Sequence, residues 1–115
     1  MSRRIRRTRQ AGDDIVRAYL YVHDRSPQGA DRLMDAIERS IRRLLDTPGV
    51  GRHWNSPDPR LDGMRVTTVT PYRSYLIFFR AVPGGIEVFR VVHGAQALQP
   101  LVDDIQIEFE RDDEP

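Results

Sequence analysis

The stretch Pro71–Ala95, PYRSYLIFFRAVPGGIEVFRVVHGA, constrains the fold more than any other part of this chain. Two runs rich in Tyr, Ile, Phe and Val, Ser74–Ala81 and Ile86–His93, flank Val82-Pro83-Gly84-Gly85, a connection with turn chemistry. The pattern predicts paired antiparallel strands. Within Tyr75-Leu76-Ile77-Phe78-Phe79, and again within Val88-Phe89-Arg90-Val91-Val92, consecutive side chains point to opposite faces, so apolar groups stand on both. A sheet with one solvated face would alternate apolar and polar residues. Both faces of this hairpin therefore need cover. Two helices can supply one; the other calls for the C-terminal segment, a second subunit or a different protein, because monomers rarely expose large apolar patches.

The helices are legible upstream. Ile15, Ala18, Tyr19 and Val22 fall on one stripe of a helix from about Gln10 to His23, with Thr8 as N-cap. Ser26-Pro27 opens a second helix, whose apolar face runs through Ala30, Leu33, Met34, Ile37, Ile41, Leu44 and Leu45 to the stop at Thr47-Pro48-Gly49. The short link Asp24-Arg25-Ser26 makes an antiparallel helical hairpin the economical arrangement. From Gly49 to Gly63 the breakers Gly51, Pro57 and Pro59, with Asn55 and Asp58, predict a long loop bearing His53 and the only tryptophan, Trp54. Trp54 suits a role in sealing one end of the core. Met64–Thr70 is β-rich. Beyond Gly94, Leu98, Leu101, Val102, Ile105 and Phe109 recover helical spacing, which predicts a short C-terminal helix, although Ile105–Phe109 also alternates like a strand. The fold class expected is α+β: an N-terminal antiparallel helical hairpin packed on a twisted antiparallel sheet of three or four strands.

At 115 residues, one domain spanning residues 1–115 is expected, with a flexible basic N-terminus (about 1–7) and an acidic C-terminal tail (about 110–115). Cysteine is absent, which removes disulfides, thiolate metal sites and a cysteine nucleophile, and suits a reducing cytoplasm. No apolar h-region follows the basic start, and no run approaches the ~18 apolar residues of a membrane span. No membrane association is expected. All 18 basic residues are arginine, and net charge is +1. That charge is polarised: Arg3–Arg9 contains five arginines, while Asp103–Glu114 has seven acids against one arginine. His23, His53 and His93 lack metal-ligand spacing, and no phosphate-binding glycine loop or nucleophile motif is present; no metal, cofactor or small-molecule ligand is expected. Asp13-Asp14 reads as a first-turn pair facing the helix dipole.

Tyr75-Leu76-Ile77-Phe78-Phe79-Arg80, followed by Val91-Val92-His93-Gly94-Ala95, resembles the C-terminal hallmark of the RelE/ParE toxin superfamily, especially its ParE branch. The early helix with Ala11 and Tyr19, the Ser26-Pro27 helix start, the Pro48-Gly49-x-Gly51 stop and Gly63-Met64-Arg65 are similar to that branch, so the resemblance spans about Ile5 to Leu98. It implies the toxin of a type II toxin–antitoxin system, inhibiting DNA gyrase by protein binding. A cognate ParD-like antitoxin would hold it inactive in a hetero-oligomer, binding operator DNA on its behalf. Where the family commonly continues His-Gly-Ala with Arg-Asp, this chain has Gln96-Ala97.

The alternative is a RelE-like, ribosome-dependent mRNA endonuclease. That chemistry needs cations on the scissile phosphate and groups to activate the 2′-OH and protonate the leaving oxygen. Arg65, Arg73, Arg80, Arg90 and His93 are the candidates, with His93 the natural acid or base and Tyr72 or Tyr75 assisting. Strand parity argues against them: Arg90 would share a face with Ile86, Val88 and Val92, and His93 the opposite face with Glu87, Phe89 and Val91. The expectation is a binding protein without catalytic residues. Antitoxin contacts are assigned to Leu76, Phe78, Val88 and Val92, or to their neighbours Ile77, Phe79, Phe89 and Val91 on the opposite face. Target contacts are assigned to Arg65, Arg73, Arg80, Arg90, His53 and Trp54.

Overall fold

A computed structural model describes residues 3–94 and 104–113, the last three by backbone alone. Both helices open where the capping residues place them. Thr8 Oγ1 accepts from Ala11 N at 3.0 Å at the start of α1 (Arg9–His23), and Ser26 Oγ accepts from Gly29 N at 3.0 Å at the start of α2 (Pro27–Arg43). Asp24–Ser26 links them, and the helices lie side by side, the Tyr19 hydroxyl donating to Asp31 at 3.3 Å.

The sheet has six strands, β1 (Arg4–Thr8), β2 (Arg52–His53), β3 (Arg65–Thr68), β4 (Tyr75–Val82), β5 (Gly85–His93) and β6 (Phe109–Asp113), in the order β2-β3-β4-β5-β1-β6. It is mixed, not purely antiparallel, because β1 runs parallel to β5. The turn of the opening hairpin is Pro83-Gly84, with Gly84 at φ +84°, the proline-then-glycine combination of a type II turn. Three strands match the expected runs; β1, β2 and β6 correct the expected count.

β1 takes in residues 4–7 of the basic N-terminal segment. Its positions facing the helices are Ile5 and Arg7, and Arg7 is only 7% exposed, held by Glu38 of α2 through two hydrogen bonds of 2.5 and 2.8 Å. An arginine where a strand would carry an aliphatic residue erases the period-two signal, and its burial is tolerable because the charge is paired. Gly85 permits the parallel approach: a Cβ there would sit 1.9 Å from the Arg4 carbonyl oxygen.

The C-terminal helix is a correction over its described part. Residues 105–108 form no helix and Phe109–Asp113 is a strand; the expected start near Gln99-Pro100 lies outside the described residues. The strand reading wins because Ile105, Ile107 and Phe109 all pack on one sheet face while β1 offers an open ladder.

The apolar residues of the sheet form two clusters. Ile5, Ile77, Phe79, Ile86, Val88 and Val91 pack with Ile15, Leu33, Ile37 and Ile41 of the helices. Met64, Val66, Phe78, Phe89 and Val92 form the other face, covered by Leu61, Trp54, Ile105, Ile107 and Phe109. The chain thus supplies the second cover from its own loop and C-terminal segment. Trp54 seals that layer edge-on to Phe78, ring centroids 5.2 Å apart.

A candidate docking cleft between α1 and the hairpin

A bulge in β5 decides what the hairpin presents. Phe79 pairs with Val88 but Phe78 pairs with Arg90, so β5 carries one extra residue there. Uninterrupted parity therefore fails beyond Phe89. Val88 joins Ile77, Phe79 and Val91 toward the helices, and Phe89 joins Leu76, Phe78 and Val92 on the other side, so neither expected set of four shares one face. Nor does either form an open surface: Phe78, Val88, Ile77, Phe79 and Phe89 are fully buried, Val91 and Val92 nearly so, and Leu76 is half-buried.

Beyond the bulge Arg90 is paired with Phe78 and His93 with Tyr75, so the two stay on opposite faces, and Arg90 reaches α1 around the open edge of β5. Arg90 Nε and Nη2 donate to Asp14 of α1 at 2.7 and 2.8 Å, and Val91 N donates to the same carboxylate at 3.0 Å. Asp14 is buried, so it is a strut between α1 and β5 and not an exposed dipole-facing acid. Thr8 Oγ1 donates to the Phe89 carbonyl at 2.6 Å, so α1 serves the β5 backbone just where β1 has departed. His93 stacks edge-on to Tyr75, centroids 5.0 Å apart.

Asp14, Arg17, Ala18 and Tyr21 of α1, with Tyr75, Val91, Val92 and His93 of the hairpin, enclose a cleft of about 370 Å³. Burial, and after it the neighbouring Tyr21, pushes the Tyr75 hydroxyl above its ordinary titration range. It is therefore a neutral phenol near pH 7, able to donate a hydrogen bond. On its solvent side α1 exposes Val16, Leu20 and Tyr21 at 54%, 57% and 60%, and of these Tyr21 lines the cleft. These residues were not among the expected contacts. Their signal was present in the sequence: Val16 and Leu20 stand four apart, off the stripe of Ile15, Ala18 and Val22, so α1 is apolar on two sides.

The expected cationic residues scatter. Arg65 ties down the loop, donating to the carbonyls of Gly49, Val50 and Gly51 at 2.7, 3.0 and 3.3 Å and contacting His53 Nε2 at 3.1 Å. Arg80 lies on the opposite face from the cleft, bound to buried Glu87 at 2.7 Å and to the Arg60 carbonyl at 2.6 Å. Arg90 is sealed against Asp14. Arg73 is exposed in the turn before β4, two residues from Tyr75, and His53 is exposed on the short edge strand β2. Trp54 is half-buried in the core layer. Among the described residues no group of three or more His, Cys, Asp or Glu could hold a metal ion, and no helix is long and apolar enough to cross a membrane.

Two helices backed by this sheet, with the cleft at the end of the central hairpin, define an α+β toxin-like domain. Residues 5–98 match the family model described as the ParE toxin of the type II toxin–antitoxin system parDE, and the chain belongs to that family. Its fold is similar to a solved chain titled "Chromosomal ParDE TA system from P. aeruginosa", with a TM-score of 0.64 and 22% identity, over 77% of this chain and 92% of that one. Among curated proteins, none matches it significantly.

Proposed function

We propose that this ParE-type toxin acts in the cytoplasm by binding DNA gyrase, and that a cognate ParD-like antitoxin neutralises it in a hetero-oligomer that meets operator DNA only through the antitoxin. The observation that carries a binding role is the set of exposed apolar side chains on α1, Val16, Leu20 and Tyr21, of which Tyr21 also lines the cleft. Exposed aromatic and aliphatic groups beside a preformed concavity are what a partner segment buries to gain affinity. This surface replaces the buried sheet residues as the antitoxin contact. Arg73 and His53 remain target-contact candidates because their side chains are exposed, whereas Arg65, Arg80 and Arg90 are engaged within the fold.

Ribosome-dependent mRNA cleavage is the second reading, and the bulge favours it by one observation: His93, Tyr75 and Arg17 share the cleft. The neutral Tyr75 phenol and the buried, paired Arg90 weigh against it. A gyrase supercoiling assay and a ribosome-programmed mRNA cleavage assay separate the two. Supercoiling inhibition without cleavage is expected, and cleavage without inhibition would reverse the assignment.

A further inference from the structure

The C-terminal segment lies beyond residue 98, where the family match ends, yet it completes the sheet. β6 pairs antiparallel with β1, setting Arg6 opposite Asp112 and Ile5 opposite Asp113. Its approach is fastened to the start of α1: Arg9 N donates to the Glu108 carbonyl at 2.8 Å, Gln106 N donates to Gln10 Oε1 at 2.8 Å, and Gln10 Nε2 donates to the Asp104 carbonyl at 3.2 Å. Ile105, Ile107 and Phe109 alternate onto the far face, with Phe109 beside Phe89 and under the Arg6 guanidinium at 4.0 Å. Between them stand Gln106 and Glu108, the latter lying 3.8 Å from Arg9. The receiving strand is Arg4-Ile5-Arg6-Arg7-Thr8, basic almost throughout. An apolar groove and a basic strand thus receive, side by side, a segment whose apolar residues alternate over Ile105–Phe109 and whose acids Glu110, Asp112 and Asp113 follow in the paired strand.

We infer that the β1 edge, with the groove beside Phe89, is a strand-exchange site, separate from the α1 cleft. It takes an extended acidic segment of a partner protein whose apolar residues alternate, and residues 104–113 occupy it in the free chain. The chemistry is β-augmentation: an exposed ladder supplies main-chain hydrogen bonds, the groove reads alternate side chains, and the arginines select for acid. A tethered occupant competes at an effective concentration of order millimolar, so it sets a threshold that an incoming segment must exceed. The chain's own tail shows which sequence pattern fits.

The test uses the full chain and a labelled synthetic peptide of residues 104–115. Full-length protein carrying Ile105→Ala and Phe109→Ala should bind the peptide saturably, and at least about tenfold more tightly than wild type, whose own tail competes. A peptide with Glu108→Gln and Glu110→Gln should bind the variant more weakly, and raised salt should narrow that difference. In wild type, amide exchange of residues 109–113 should proceed by local opening, faster than that of β5. The idea is overturned if the folded variant does not take up the peptide. It is equally overturned if wild type forms a dimer through this edge, which would assign the site to a second copy. Should the variant not fold, exchange in wild type decides alone: β6 amides that open only together with β5 make the tail an inseparable part of the sheet and sink the proposal.

Discussion

Asp14 accepts from both prongs of Arg90 and from Val91 N, and with Arg17 Nη1 at 3.5 Å it joins α1 to the bulged half of β5. Removing one member of a buried pair leaves an uncompensated charge, so Asp14→Asn should lower stability by about 3–5 kcal/mol, read by denaturant unfolding. The same strut holds one wall of the cleft, so partner binding should weaken alongside it. Tyr75 offers a gentler probe. Its hydroxyl is pushed up by burial, so the fold favours the protonated phenol. That contribution is complete below the unfolded tyrosine value of about 10 and is lost as pH rises through the higher folded value. In ultraviolet titration one of the tyrosines that ionise above the ordinary range, Tyr19 being another, should disappear in Tyr75→Phe. At this scale the sequence named Arg90 and His93 but not their surroundings: nothing local marks Asp14 as the partner, since 76 residues separate it from Arg90.

Among the elements, β1 shows how a strand can be hidden. Its inward positions are Ile5 and Arg7, and Arg7 finds its counter-charge on α2. Gly85→Ala tests the element directly, because the added methyl would collide with the Arg4 carbonyl oxygen. Amide exchange should show β1 and β6 losing protection together while β3, β4 and the helices keep theirs, since β6 reaches the sheet only through β1. The helices, by contrast, were legible in place and length, because Thr8 and Ser26 cap locally and the apolar stripes repeat within each segment. The β5 bulge was not. Its extra residue sits inside an unbroken apolar run, where periodicity gives no mark of a slip, and it is stabilised by Thr8 and Asp14 from another element.

For the whole molecule, the two sheet faces separate stability from recognition. Phe78→Ala removes a fully buried ring and should cost about 3–5 kcal/mol in unfolding experiments. Leu20→Glu changes an exposed apolar position on α1, so stability should stay within ~0.5 kcal/mol while antitoxin affinity, measured by calorimetry, falls at least about tenfold. The opposite pattern, with Leu20→Glu silent on binding, would move the docking surface elsewhere. By itself the sequence determined the two helices, the central hairpin and the need for cover on both of its faces, because these rest on local capping, turn chemistry and short-range periodicity; the toxin family entered by the resemblance of its motifs. Only the tertiary structure decided that the chain's own loop and tail supply the second cover, that the basic segment with Arg7 buried against Glu38 forms β1, and that a bulge turns His93 toward α1. Each of those depends on ion pairs, ladders and packing between residues distant in the chain, whose partners no local pattern names.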